Sequence, residues 1–336
     1  MSALAPELID LILSHLHPLS TTPSKSENVL DKEAAHNVGK CAGVRKWAAH
    51  GLAKLFRTPQ RLTFLPFIRV LDLCGGLAED RWMLTVFPKI SKHLPTSIIT
   101  SLVLQYGNFL FFGLHSFPQF DLPGLTHLQI GGHNMPDLAA VVQFVASWPE
   151  LVSLKLCPES EDWGKGTLPV AGSSAPATLR HLEFRCAQMG PVLEWIQESH
   201  VPLSSVLIDD GHMLPANDQW TGTKTQTVAG FLDSLGSSLT SLSLTFDWFT
   251  IPIDVTDGKF LSPHSLLKTL TIGATTGQIE PLLLKARLWP SLESITLNLF
   301  DDSPSLPAWS DLDSRLTSLS SLRSLVTGAV LGVQFR

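Results

Sequence analysis

Cysteine is scarce in this chain: Cys41, Cys74, Cys157 and Cys186 are spread over 336 residues, with no CxxC pair. That spacing excludes a disulfide scaffold and a zinc ribbon, and it fits free thiols in a reducing compartment. Charge is scarce too, at 16% against 44% hydrophobic residues, so core material is ample and wholesale disorder is excluded. The net charge of −6 argues against a nucleic-acid binder. No run of about 20 apolar residues exists to span a membrane. The best candidate, 98–117, is broken by Gln105, Asn108 and His115. None of the six asparagines begins an N-x-[ST] sequon. The expected location is cytoplasmic or nuclear, with neither membrane nor nucleic acid as a partner.

Catalytic signatures are equally absent. There is no G-x-S-x-G elbow, no H-E-x-x-H helix and no Walker loop. The stretch WGKGT at 163–167 lacks the phosphate-loop spacing and reads as a loop. Twelve histidines invite a metal reading, but His15 and His17 diverge on a helix and are followed by Pro18. His127 and His181 share a face about 10 Å apart, with no third ligand in sight. The acid pairs Asp209-Asp210 and Asp301-Asp302 follow strands and read as solvated turn residues. The expectation is a protein that is not an enzyme and uses no cofactor.

What is abundant is a pattern. The hexad apolar-x-x-apolar-x-apolar recurs as IRVLDL at 68, ITSLVL at 99, LTHLQI at 125, LVSLKL at 151 and LRHLEF at 179. It continues as LSSVLI at 203, LTSLSL at 239, LKTLTI at 267, LESITL at 292 and a degraded LRSLVT at 322. The intervals are 31, 26, 26, 28, 24, 36, 28, 25 and 30 residues. Ten such segments at near-constant spacing indicate one structural unit per interval. Each hexad reads as a short strand whose fourth and sixth residues face one way and whose third and fifth face the other. Many intervening segments read as helices. The clearest is 136–147, where Pro136 and Asp137 open a stripe of Leu138, Val141, Val142 and Val145, and Trp148-Pro149 stops it. Further helices are predicted near 79–93, 191–199, 225–235 and 279–288. Residues 158–178 and 250–265 read as loops.

The hexads resemble the LxxLxL core of leucine-rich repeats, over about residues 62 to 327. The expected fold is an α/β solenoid, a leucine-rich-repeat horseshoe with a parallel sheet, spanning 58–336 in about ten irregular repeats. The Asn or Cys that this family places three residues after the hexad is replaced here by Gly76, Gly107, His133, Glu159 or Ala187. One sheet face then packs on helices and the other is a long surface open to water. Small hydroxyls dominate that surface in the later repeats. The central repeats instead offer His127, Gln129, Lys155, His181 and Glu183, with Arg185 just after, and these are the candidate substrate-binding residues.

The chain opens with LAPELIDLILSHL, residues 4–16. Wound as a helix, its Leu and Ile side chains cover an arc of roughly 200°, twice what packing on one surface requires. A polar link at 17–31 follows, and then AAHNVGKCAGVRKWAAHGLAKLF at 34–56 resumes helical character. Between Glu33 and Asp72 there is no acidic residue, yet Lys40, Arg45, Lys46, Lys54, Arg57, Arg61 and Arg69 all fall there. This order of helix, link, Cys/Arg/Trp helix and repeats resembles F-box-like proteins of the basidiomycete fungal type. The matching positions are Leu4, Pro6, Glu7, Leu8, Ile9, Ile12 and Leu16 in the first part, and Cys41, Ala42, Val44, Arg45 and Trp47 in the second. The resemblance implies a small all-α F-box-like domain at 1–57. It also implies docking on the Skp adaptor of a cullin–RING ubiquitin ligase, through Leu4, Pro6, Leu8, Ile9, Ile12, Leu16, Val44 and Trp47. The repeats would then hold a protein substrate. The rival expectation is a repeat scaffold whose leading helices only cap the solenoid.

Overall fold

Each hexad becomes one strand, and each strand begins on the third hexad residue. The strands are β1 (Val70–Cys74), β2 (Ser101–Gln105), β3 (His127–Gly132), β4 (Ser153–Pro158) and β5 (His181–Arg185). They continue with β6 (Ser205–Asp209), β7 (Ser241–Thr245), β8 (Thr269–Ala274), β9 (Ser294–Leu299) and β10 (Ser324–Ala329). The computed structural model describes residues 69–74, 96–105, 122–132, 135, 137–158, 163, 173–185, 190–209, 222–245, 264–274, 289–299 and 321–329. The helices expected at 79–93 and 279–288, and the whole N-terminal unit at 1–57, lie outside the described residues.

The ten strands form one sheet in the order β1 to β10, and every neighbouring pair is parallel. The pairing aligns equivalent hexad positions, as in Leu128↔Leu154 and Leu154↔Leu182. Alternation then does the sorting. Fourth- and sixth-position residues such as Leu154, Leu156, Leu182 and Phe184 are sealed in the core, while the third and fifth stay open. A fully buried Leu contributes about 1.5–3 kcal/mol, so the stacked aliphatic rows supply most of the cohesion between coils.

Among the described residues three α-helices cover the core side. Helix α1 (Leu138–Ala146) is capped by Asp137, whose Oδ1 accepts the Ala140 N–H at 2.7 Å. It buries Leu138, Val141, Val142, Phe144 and Val145, which adds Phe144 to the expected stripe. Phe144 meets Trp148 edge-on, with ring centroids 5.8 Å apart. Helix α2 (Gly190–Glu198) buries Val192, Leu193, Trp195 and Ile196. Helix α3 (Gly222–Leu235) starts three residues before the predicted 225, because its first turn carries no apolar stripe to announce it. Trp163, from the stretch WGKGT, is buried beside Phe184 at 6.2 Å and fills core space there.

Two backbone devices recur. A turn closes just before several strands, with an N–H to C=O bond three residues apart. Examples are Leu125 to Leu122, Leu151 to Trp148, Leu179 to Pro176, Leu267 to His264 and Leu292 to Trp289. Pro123, Pro149 and Pro290 hold the second place of three of these turns, where a fixed φ costs nothing. The second device is a carbonyl ladder. In the first nine repeats, the C=O of the second hexad residue accepts two N–H groups from the next coil. Thr126 O, for instance, takes Val152 N–H at 2.8 Å and Ser153 N–H at 2.9 Å. Hydroxyls reinforce it, as where Thr240 Oγ1 donates to Ser204 O at 2.9 Å.

The sheet is least covered at its last coil. The fourth hexad residue is buried in β2 to β9, but Leu325 in β10 is 43% exposed.

Candidate functional site

Strand geometry places the third and fifth hexad positions, and the residue just after the hexad, on the open face. Three rows therefore cross the sheet. The third-position row runs Ser101, His127, Ser153, His181, Ser205, and the fifth-position row Val103, Gln129, Lys155, Glu183, Leu207. The residues after the hexads include Gly131, Cys157, Arg185 and Asp209. All six candidate substrate-binding residues lie in these rows. His127, His181 and Arg185 are exposed, and Gln129, Lys155 and Glu183 are half-buried.

A chain of four charges occupies the centre. Lys155 Nζ lies 2.7 Å from Glu183 Oε1, and Arg185 Nε lies 3.0 Å from the same oxygen. Arg185 Nε also stands 3.8 Å from Asp209 Oδ2. Alternating sign across β4, β5 and β6 makes the patch nearly neutral and gives it a fixed polarity. Glu183 Oε1 is shielded from solvent and held by charge, without a well-aligned hydrogen bond. The short Lys155 contact is worth more than an ordinary surface pair, because both side chains are less than one-third exposed.

The sequence placed Lys155, Glu183 and Arg185 on one face, and the structure brings them into contact. Asp209 belongs with them, although as half of an acid pair it reads as a solvated turn residue. It is the last residue of β6 and pairs in register with Arg185. Its position relative to its own hexad matches that of Arg185, and that offset was the available signal. The histidines sit apart from the charge chain. His127 Nδ1 is 2.8 Å from Thr126 Oγ1, and Ser153 stands between His127 and His181 in the ladder. Among the described residues no group of three His, Cys, Asp or Glu could hold a metal ion. No helix among them is long and apolar enough to cross a membrane.

Cys157 sits beside the charge chain as a free, half-buried thiol. Burial pushes its pKa above the ordinary cysteine value. Lys155 and Arg185 pull it down, while Glu183 and Asp209 push it up. Its neighbour in register is Gly131, where any larger residue would crowd β4. A Cβ at that position would stand 3.0 Å from Cys157 O and 3.2 Å from Cys157 Cβ. The face therefore offers fixed charges, imidazoles and hydroxyls on a rigid sheet, an arrangement suited to recognition.

The adaptor-docking residues Leu4, Pro6, Leu8, Ile9, Ile12, Leu16, Val44 and Trp47 lie outside the described residues. So do the positions after the hexads that lack the family's Asn.

The parallel sheet in sequential order and the repeated hexad define the class: an α/β solenoid of leucine-rich-repeat type. No protein-family model matches the chain, and no curated protein matches it. Among solved structures it is similar to the leucine-rich repeat-containing protein LegL7 from Legionella pneumophila. That likeness has 15% identity and a TM-score of 0.48, covering 82% of this chain and 86% of that one. A protein from Bacteroides fragilis is similar at 15% identity and a TM-score of 0.45, covering 90% of this chain and 85% of that one.

Proposed function

We propose that this chain is the substrate-recognition subunit of a Skp–cullin–F-box ubiquitin ligase of the fungal type. The recognition half of the reading rests on one observation. The charge chain Lys155–Glu183–Arg185–Asp209 is built across three strands of a rigid sheet and faces solvent. A protein partner docks on that face, with His127, Gln129 and His181 at its margin. The adaptor half rests on sequence. The leading segment carries apolar side chains on two flanks, in the positions of an F-box helix, and a basic segment follows it. One flank packs on its own helical unit and the other on the adaptor. The chain catalyses nothing itself and needs no cofactor. It holds two proteins at a fixed separation, which raises the effective concentration of the target at the ligase. The work takes place in the cytoplasm or nucleus.

Capture of the Skp adaptor by the full chain tests this reading. Ile9→Asp and Leu16→Asp each place a charge in the docking strip and reduce capture at least tenfold. The charge-swapped pair Lys155→Glu with Glu183→Lys leaves adaptor capture unchanged, because it lies on the sheet. If wild-type chain captures no adaptor, or both helix variants capture it as well as wild type, the leading helices are a cap on the solenoid and the ligase role falls.

A further inference from the structure

His264 is the one buried polar or charged residue among the described residues, with none of its surface exposed. It occupies the first place of the turn that enters β8. The equivalent places in the coils of β3, β4 and β9 hold Leu122, Trp148 and Trp289. An imidazole has replaced a core hydrocarbon there. Its Nδ1 lies 2.9 Å from the carbonyl oxygen of Gly236, so Nδ1–H donates. Gly236 follows the last residue of α3 and takes a left-handed φ of 53°. The bond thus joins the entry of β8 to the end of the helix in the preceding coil. The second nitrogen, Nε2, is buried with no hydrogen-bond partner.

We propose that His264 is a pH-sensitive latch between the coil of β7 and the coil of β8. Neutral, it ties the two coils together. Protonated, it leaves the core and frees the block β8–β10 from the rest of the solenoid. The geometry forces this coupling. A second N–H at Nε2 would be buried with no acceptor, which is costlier than returning the ring to water. On α3, Asp233 is the charged group whose field reaches the ring, and it favours the cation. The strand β7 and the turn at Gly236–Ser238 carry no charged side chain. Lys268 and Glu293, at the entries of β8 and β9, engage each other at the surface at 3.6 Å. Burial outweighs these influences and holds the imidazole below the usual histidine range.

The freed ring takes up protons below about pH 6.5, and the latched ring resists them, so the latch is intact above that value and weakens as pH falls. Opening becomes up to about tenfold more favourable between pH 7.5 and 5.5. In a solenoid each coil contacts only its neighbours, so loosening one junction releases one end and spares the other.

Amide hydrogen exchange of the full chain at pH 7.5 and 5.5, corrected for intrinsic rates, tests the latch. Amides of β8–β10 lose up to about tenfold in protection relative to β3–β6 at the lower pH. In His264→Trp or His264→Leu, which copy the residues of the equivalent turns, that relative loss disappears. A wild-type protection ratio unchanged between the two pH values overturns the proposal, and so does the same acid loss in both variants. Should neither variant fold, nitrogen-15 histidine spectra of the wild type decide. A neutral Nδ1–H ring persisting below pH 6.5 until β8 opens supports the latch. Ordinary titration at about pH 6.5 with β8 still protected refutes it.

Discussion

Glu183 carries two cations on one oxygen, and removing it tests the charge chain most directly. Lys155 stands 2.7 Å away and Arg185 3.0 Å away, so the two cations are at most about 6 Å apart. Glu183→Gln loses both attractions and leaves the cations facing each other. The Lys155 contact joins two side chains less than one-third exposed and contributes about 1 kcal/mol after desolvation and side-chain ordering. The Arg185 contact contributes less, because that side chain is 49% exposed. Glu183→Gln therefore costs more than Lys155→Met, between about 1 and 2 kcal/mol against about 1 kcal/mol. Urea unfolding of wild type, both single variants and the double variant gives the coupling energy of the pair. We expect about 1 kcal/mol, reduced in 1 M NaCl, where the screening length is about 3 Å. A coupling below about 0.3 kcal/mol, or a Glu183→Gln variant no less stable than Lys155→Met, refutes the assignment of Glu183 as the centre of the chain.

Two further outcomes follow from local packing. Gly131→Ala pushes a methyl against the backbone of β4 and costs about 1–3 kcal/mol, whereas Gly230→Ala on α3 meets nothing within 4 Å and gains about 0.5–1 kcal/mol. Matched urea titrations read the opposite signs; equal shifts would remove the close β3–β4 approach from the account. Asp137→Ala deletes the cap on α1 and costs about 1 kcal/mol, while Asp137→Asn keeps most of it. Full stability in the alanine variant would mean the cap bond is not formed in solution.

The strands were the most legible part of the fold. A period of two with leucine at fixed places leaves little choice, and all ten hexads became strands starting at the same position. Helix ends were less legible. The start of α3 at Gly222 lies in a Gly/Thr-rich stretch where propensity and pattern are both silent. The turn before each strand was half visible, since Trp148-Pro149 and Trp289-Pro290 read as helix stops. Its wider form was hidden because Ala177 and Ser265 replace proline in two of the copies. His264 gave no warning, since a histidine reads as polar until its place in the coil is aligned with Trp289. On the open face, sequence put Lys155, Glu183 and Arg185 on neighbouring strands, but ion pairing depends on side-chain reach. Arg185 and Asp209 met only once the register was known.

The double acceptors at the second hexad position belong to the main chain, and so are indifferent to the side chain they carry. Arg69, Val152, Ser204 and Glu293 all serve equally well there. A gene built on this rule tolerates duplication, loss and drift of whole segments, provided the flanking aliphatic residues survive. The surface of such a protein is free to change its specificity quickly while its frame stands still.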